Sequence, residues 1–146
     1  MSLIQDKCIE HHDDRSIITV KENGKIYQLN NDSKYKVRKV KIDGCIQQAQ
    51  GEKRCDYLLT ISDKINRAIF VELKGGGLVT AIKQIIETIV LLKEEIVNFK
   101  IDARIIGSNN VPNLTTTSEY QKLFKLIKHS KGNIKIATNK FFSENI

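Results

Sequence analysis

The sequence predicts an α/β domain in which a mixed β-sheet is flanked by helices. Short alternating apolar segments stand on both sides of one long segment whose apolar residues recur every three or four positions. A second helix-like segment and another short strand follow it. Strands joined by tight turns pair antiparallel, whereas strands joined through a helix lie parallel. The order predicted after residue 34 is therefore β-β-β-α-β-α-β, in a sheet of mixed direction.

Length and composition are those of one ordinary globular domain. The chain has 146 residues, of which 40% are hydrophobic and 28% are charged, and a chain of this size can bury one core. We expect a single domain over residues 1–146, with a core at about 35–139. A lead-in and a hairpin are expected over residues 1–34.

The first third of the chain predicts a lead-in, a hairpin and a strand. Residues 1–15 are typical of a short helix or an irregular segment. The apolar runs 17–20 and 25–29 flank Asn23-Gly24, which is a hairpin pattern because both residues tolerate a positive φ. Residues 35–42 alternate apolar and basic side chains, which predicts a strand ending at Asp43-Gly44.

The middle of the chain predicts a second hairpin followed by the longest helix. Strands are expected over residues 56–62 and 68–74, joined by a polar turn at 63–67. In the simplest pairing, residues 57–59 lie opposite 71–73. The apolar periodicity of residues 78–99 predicts a largely buried helix.

The last third predicts one more helix between two strands. A strand is expected over residues 102–108, and a polar loop with the only proline over 109–117. Residues 118–129 carry an apolar face at helical spacing, and residues 133–138 alternate as a short strand.

The charge balance favours a polyanionic partner. The chain has 24 Lys and Arg against 17 Asp and Glu, a formal net charge of +7. Many of these cations lie in two stretches, at 34–41 and 122–140. Because neutralising phosphates releases counterions, such surfaces bind nucleic acids. The alternative is that the charge serves solubility alone.

The cysteines and the most apolar segment bear on location. Cys8, Cys45 and Cys55 are an odd, sparse set without C-x-x-C spacing, which argues against a disulfide framework and a zinc cluster. We therefore expect reduced thiols and a cytoplasmic location. The apolar stretch 81–97 carries five charged side chains, so no membrane partner is expected.

One strand end carries a candidate reactive site. Side chains alternate along a strand, so Glu72 and Lys74 project from one face about 7 Å apart. If residues 56–62 and 68–74 pair, Asp56 lies near both. Two carboxylates form an oxygen site suited to Mg²⁺, and a lysine can hold a water or a developing phosphoryl charge. Gly75-Gly76-Gly77 would allow a phosphodiester to approach the backbone.

The motif formed by these residues resembles that of the PD-(D/E)XK nuclease superfamily. Asp56 is followed after fifteen residues by Glu72-Leu73-Lys74 at the end of an apolar strand, and then by a helix that contains Gln84. The likeness covers about residues 35–108 in element order and is specific over 54–84. It implies a restriction-endonuclease-like αβββαβ core, similar to that of Holliday-junction resolvases.

The resemblance also implies roles for the motif residues. Asp56, Glu72 and the main-chain carbonyl of Leu73 would bind Mg²⁺, for which Mn²⁺ could substitute. Lys74 would position the attacking water, and Gln84 would lie near the site. Members of the superfamily usually have an acidic residue in a helix before the sheet, for which Glu10 is the first candidate here and Glu22 the second. Cys55 stands where many members have proline.

These features predict a Mg²⁺-dependent endonuclease that hydrolyses DNA phosphodiester bonds. Restriction, anti-phage defence, repair and the effector domain of a toxin are the settings considered, with DNA favoured over RNA as substrate. A homodimer or a partner protein would supply specificity. A non-catalytic nucleic-acid-binding domain on the same fold and a tRNA-cleaving RNase are the alternatives.

Overall fold

Two β-sheets pack face to face, and two helices cover the outer face of the larger sheet. The computed structural model describes residues 2–46, 52–74, 77–108 and 112–146. In chain order the elements are β1 (Ile9–Asp13), β2 (Ile17–Glu22), β3 (Lys25–Asn30), β4 (Val37–Lys41), β5 (Tyr57–Ser62), β6 (Asn66–Leu73), α1 (Leu78–Leu91), β7 (Lys100–Ile106), α2 (Ser118–Lys128), β8 (Ile134–Ala137) and β9 (Phe141–Asn145).

The larger sheet is mixed, as predicted. Its strands follow the order β1-β4-β5-β6-β7-β8. The first four pair antiparallel, whereas β6, β7 and β8 are parallel. Helix α1 connects β6 to β7, and α2 connects β7 to β8. The predicted order β-β-β-α-β-α-β is therefore confirmed from β4 to β8.

Strand β6 is buried on both faces, and its two sets of side chains pack on different layers. Ala68 and Phe70 join the core under α1 and α2. Ile69, Val71 and Leu73 face the smaller sheet, whose order is β2-β3-β9. The expectation that helices flank the sheet on its faces is therefore wrong for one face. The small sheet covers it because β2 and β3 alternate apolar and polar residues and so have one apolar face to bury.

The predicted hairpin at residues 17–29 is confirmed. Its strands pair in register, with Glu22 opposite Lys25. Asn23 and Gly24 occupy the turn with φ of 54° and 74°. This left-handed conformation is the one that Asn-Gly turns adopt between twisted strands.

The lead-in predicted at residues 1–15 contains a strand. After a short 3₁₀ helix at Asp6–Cys8, β1 pairs with β4 as an edge strand of the larger sheet. No α-helix precedes β4 in residues 2–36, so the first helix of the expected αβββαβ core is not found there. Strand β9 was not predicted either; it pairs in parallel with β3.

Two boundaries differ from their predictions. Strand β6 begins at Asn66, so the turn after β5 is shorter than expected and Tyr57 lies opposite Val71. The predicted helix 78–99 ends at Leu91, beyond which tighter i→i−3 bonds replace the helical ladder. Of the predicted loop 109–117, residues 109–111 lie outside the described residues.

Two of the three cysteines form a disulfide, so the expectation of reduced thiols is wrong for them. Cys8 precedes β1 and Cys45 follows β4, and the two Cα atoms are 5.7 Å apart. Antiparallel pairing of β1 with β4 brings these chain positions together. Cys55 is free and buried. Among the described residues, no helix is long and apolar enough to cross a membrane.

Candidate functional site

Asp56 and Glu72 lie opposite each other at one end of the larger sheet. Tyr57 pairs with Val71, and one step further along the two strands Asp56 meets Glu72. The main-chain N–H of Asp56 donates a hydrogen bond to Glu72 Oε1 at 3.1 Å. The N–H of Leu73 donates to Asp56 Oδ2 at 2.8 Å. Each carboxylate is thus oriented by a peptide group of the opposite strand.

Burial makes the charges of these two carboxylates costly. The Glu72 side chain lies between the sheet and α1, and the residue is only 2% exposed. Burial, followed by the charge of Asp56, raises the pKa of Glu72 to about 9, and Lys74 opposes the rise. Burial also raises the pKa of Asp56 to about 6. Two adjacent carboxylates with raised pKa values are a site that a cation would stabilise.

Lys74 is a positive charge that acts on both carboxylates. It follows β6 directly, and its main-chain N–H donates to the carbonyl of Ile106 at 2.9 Å. Its ammonium lowers the pKa of both Asp56 and Glu72, so the three residues form one electrostatic unit. The motif residues are therefore brought together as expected.

Leu73 contributes its main chain to this unit. Its side chain is buried in the core between the two sheets, and its N–H is bound to Asp56. Main-chain carbonyls, like carboxylates, are hard oxygen donors. The donor set expected for Mg²⁺ is thus chemically suitable.

Gln84 lies on the wall of the site and does not contact the carboxylates. It is buried on α1, and its Nε2 donates to the carbonyl of Arg54 at 3.3 Å. Its Oε1 is buried without a hydrogen-bond partner among the described residues. An unpaired buried acceptor costs about 1–3 kcal/mol. Gln84 therefore holds the segment that leads to Asp56 and keeps one polar atom available.

Thr88, one turn further along α1, supports the same segment and was not predicted. Its hydroxyl accepts a hydrogen bond from the N–H of Cys55 at 2.9 Å and donates to the carbonyl of Gln84 at 2.7 Å. The helix thereby anchors the residue immediately before Asp56. Spacing along α1 would have indicated Thr88, because it lies four residues after Gln84 on the same face.

Glu10 engages other partners. Its carboxylate accepts a hydrogen bond from the hydroxyl of Tyr57 at 2.8 Å and pairs with Lys39 at 3.2 Å. The acidic neighbours that raise the pKa of Asp56 are Glu22 and Asp43. Of the two candidates, Glu22 acts electrostatically on Asp56, whereas Glu10 is engaged with Tyr57 and Lys39.

Asp43 was missed by sequence reasoning. It follows β4, and its N–H donates to the carbonyl of Cys55 at 3.1 Å. Its charge raises the pKa of Glu72 as well as that of Asp56. The predicted strand 35–42 ends at Asp43. This position at the end of a strand was the sequence feature that could have indicated that Asp43 lies near the site.

The acids near the site do not form a closed metal cage. Among the described residues, no group of three or more His, Cys, Asp or Glu side chains could hold a metal ion. A bound Mg²⁺ would therefore rely on two carboxylates, main-chain oxygen and water, which is the sparse coordination that this ion commonly has in enzymes.

Of the three glycines after Lys74, Gly77 is the one among the described residues. Gly75 and Gly76 lie outside the described residues. Gly77 precedes α1 with a φ of 66°, a conformation that L residues rarely adopt. The glycine therefore permits a sharp entry into the helix.

Comparisons of the chain with protein-family models, with curated proteins and with solved structures find no match.

Proposed function

We propose that the chain is a Mg²⁺-dependent endonuclease that hydrolyses DNA phosphodiester bonds. The observation that carries the proposal is the face-to-face placement of Asp56 and Glu72 on paired strands, with Lys74 acting on both. Buried carboxylates with raised pKa values are uncommon outside sites that use them. This combination suits metal-assisted phosphoryl chemistry.

Asp56, Glu72 and the carbonyl of Leu73 would hold the ion, and Mn²⁺ would substitute for Mg²⁺. When bound, the ion would acidify a coordinated water and offset charge on the phosphoryl oxygens. The Lys74 ammonium would hold the attacking water by hydrogen bonding. Gln84 would fix the segment before Asp56 through its bond to Arg54.

The assignment to the PD-(D/E)XK superfamily is part of this proposal. The succession β4-β5-β6-α1-β7, with three antiparallel strands followed by a helix and a parallel strand, supports it. The lack of an α-helix before β4 in residues 2–36 weighs against it. Membership of the superfamily would mean that the chain has a restriction-endonuclease-like core.

The net charge of +7 supports a nucleic-acid substrate, and DNA is preferred over RNA. Restriction, anti-phage defence, repair and toxin action remain the settings proposed, with a homodimer or a partner protein supplying specificity. A cytoplasmic location stays a prediction. The Cys8–Cys45 disulfide weighs against it, because disulfides are rare in reducing compartments.

Nicking of supercoiled plasmid tests the activity. The wild-type protein is compared in Mg²⁺, in Mn²⁺ and in chelator with Asp56→Asn and Lys74→Ala. The Asn side chain can still accept the hydrogen bond from Leu73, so this substitution removes charge with little change in shape. We expect nicking to require metal and to fall about 100-fold or more in both variants.

Asp63→Asn and Lys64→Ala are the matched controls. Both residues are exposed at the turn between β5 and β6, at the opposite end of the same hairpin. They should nick as the wild type does. Equal nicking by all five proteins would identify a contaminating nuclease. If the protein cleaved RNA but not DNA, the proposed substrate would be RNA, as for a tRNA-cleaving RNase.

A non-catalytic nucleic-acid-binding domain is the second candidate. It is favoured by the lack, among the described residues, of a third acidic side chain grouped with Asp56 and Glu72. Such a domain should bind DNA equally well in Mg²⁺ and in chelator. It should also tolerate Asp56→Asn without loss of affinity, and it should never nick.

A further inference from the structure

A cleft of about 800 Å³ lies between α1, Lys122 of α2 and the segment before Asp56. One wall is the segment 52–54, which leads to Asp56. The other walls are the outward side of α1, from Thr80 to Leu91, and Lys122 of α2. The cleft therefore borders the segment that leads to Asp56.

The positive charges in the cleft divide into two groups. The guanidinium of Arg54 is neutralised, because it pairs with Glu52 at 2.7 Å and lies 3.7 Å from Glu87. Lys53, Lys83 and Lys122 are exposed and make no ion pair within the described part of the chain. Three lysine charges thus remain for a ligand.

Gln84 links the cleft to the segment that leads to Asp56. Its side chain lines the cleft and is bonded to the carbonyl of Arg54. Gln84 Oε1 and Arg54 Nε are both buried without a hydrogen-bond partner among the described residues. Unpaired polar atoms in a cleft wall suit a polar ligand or its bound water.

We propose that this cleft binds the phosphate backbone next to the scissile bond, with Lys53, Lys83 and Lys122 contacting the phosphates. The inference rests on the proposed nuclease function, because it extends the substrate of that site. Lysine ammonium groups on flexible stems are suited to sequence-independent phosphate contacts. Their spread over three chain segments fits a strand running along α1 and away from Asp56.

The test compares two triple variants that remove the same charge. Lys53→Ala/Lys83→Ala/Lys122→Ala changes the cleft. Lys64→Ala/Lys100→Ala/Lys135→Ala is the matched control, since all three of its lysines are exposed and lie away from the cleft. Binding of a short fluorescent DNA duplex is measured by anisotropy in chelator over a series of salt concentrations.

Each phosphate contact contributes about 0.9 to the slope of log affinity against log salt. We expect the cleft variant to lose about 2 to 3 from that slope, and its affinity to fall by at least tenfold at moderate salt. The control variant should keep the wild-type slope. In plasmid nicking, the cleft variant should show a raised KM with kcat nearly unchanged.

Equal slopes in the two triple variants would overturn the phosphate cleft, and metal-dependent nicking by the same preparations would leave the nuclease proposal intact. The third outcome is that the salt slope falls only in the cleft variant while no preparation nicks DNA. That result would support phosphate binding in the cleft and would overturn the nuclease proposal. Thermal unfolding of both variants establishes that each is folded.

Discussion

The main-chain N–H of Asp56 is bound to the carboxylate of Glu72 at 3.1 Å, across two antiparallel strands. This hydrogen bond places the two carboxylic acids side by side at the edge of a largely apolar layer of the core. Glu72 lies deeper, so burial raises its pKa more than that of Asp56. Charge burial at this point lowers the stability of the protein, a cost that a bound cation would offset.

Glu72→Gln should stabilise the metal-free protein at alkaline pH. A free glutamate titrates near pH 4.3, whereas the pKa of Glu72 in the fold is about 9. Between these values the folded state binds a proton that the unfolded state has released, so the free energy of unfolding falls as pH rises. The Gln side chain does not titrate, so the free energy of unfolding of the variant does not fall in this way.

Thermal unfolding in chelator measures the effect. The Tm of Glu72→Gln should exceed that of the wild type at pH 8 by several degrees, and the two should converge near pH 4. Glu94→Gln, on the exposed segment after α1, is the control and should follow the wild type. A parallel pH dependence of the wild type and Glu72→Gln would show that Glu72 does not titrate as described.

Thr88→Val should lower the nicking activity by more than its loss of stability can explain. Valine keeps the shape of threonine but cannot accept the hydrogen bond from Cys55 N–H, which then remains unsatisfied. The expected loss of stability is about 1–3 kcal/mol. Because Cys55 precedes Asp56, kcat for nicking should fall by roughly tenfold. Thr88→Ser, which retains the hydroxyl, should restore the rate; a Ser variant as slow as Val would indicate a packing defect instead.

Glu144→Ala should strongly destabilise the fold. The Glu144 carboxylate binds Arg104 at 2.7 Å and the hydroxyl of Tyr27 at 2.6 Å, between the two sheets. Its removal leaves the buried Arg104 guanidinium with a weaker set of partners, a change that typically costs about 3–5 kcal/mol. Urea unfolding gives the value. Ser143→Ala, at an exposed position of β9, should change stability by less than about 0.5 kcal/mol, and an equal loss in both would point to β9 pairing itself.

Removal of the Cys8–Cys45 disulfide should lower stability by about 2–4 kcal/mol. The bond closes a loop with a sequence separation of 37 and thereby restricts the unfolded chain. Cys8→Ser/Cys45→Ser is compared with the wild type by urea unfolding, with and without reductant. Reductant should destabilise the wild type alone. A wild type insensitive to reductant would show that the thiols are free in solution, as the sequence predicted.

Several parts of the site were accessible from local patterns. The alternation of β6 indicated that Glu72 and Lys74 share a face, and the hairpin length indicated that Asp56 would lie near them. The predicted register was off by two residues, because it placed Tyr57 opposite Leu73. The shorter turn after β5 places Tyr57 opposite Val71 instead and so brings Asp56 opposite Glu72.

Local periodicity and turn chemistry were enough to predict the Asn23-Gly24 hairpin, the apolar strand β6, the apolar face of α1 and the placement of two acids at one sheet end. Tertiary structure alone decided the places of β1 and β9, the second sheet over one face, the Cys8–Cys45 bond and the proximity of Asp43. Strand β1 carries mostly polar residues, so only its hydrogen bonds to β4 reveal it. Such contacts join residues far apart in the chain, and no local pattern records them.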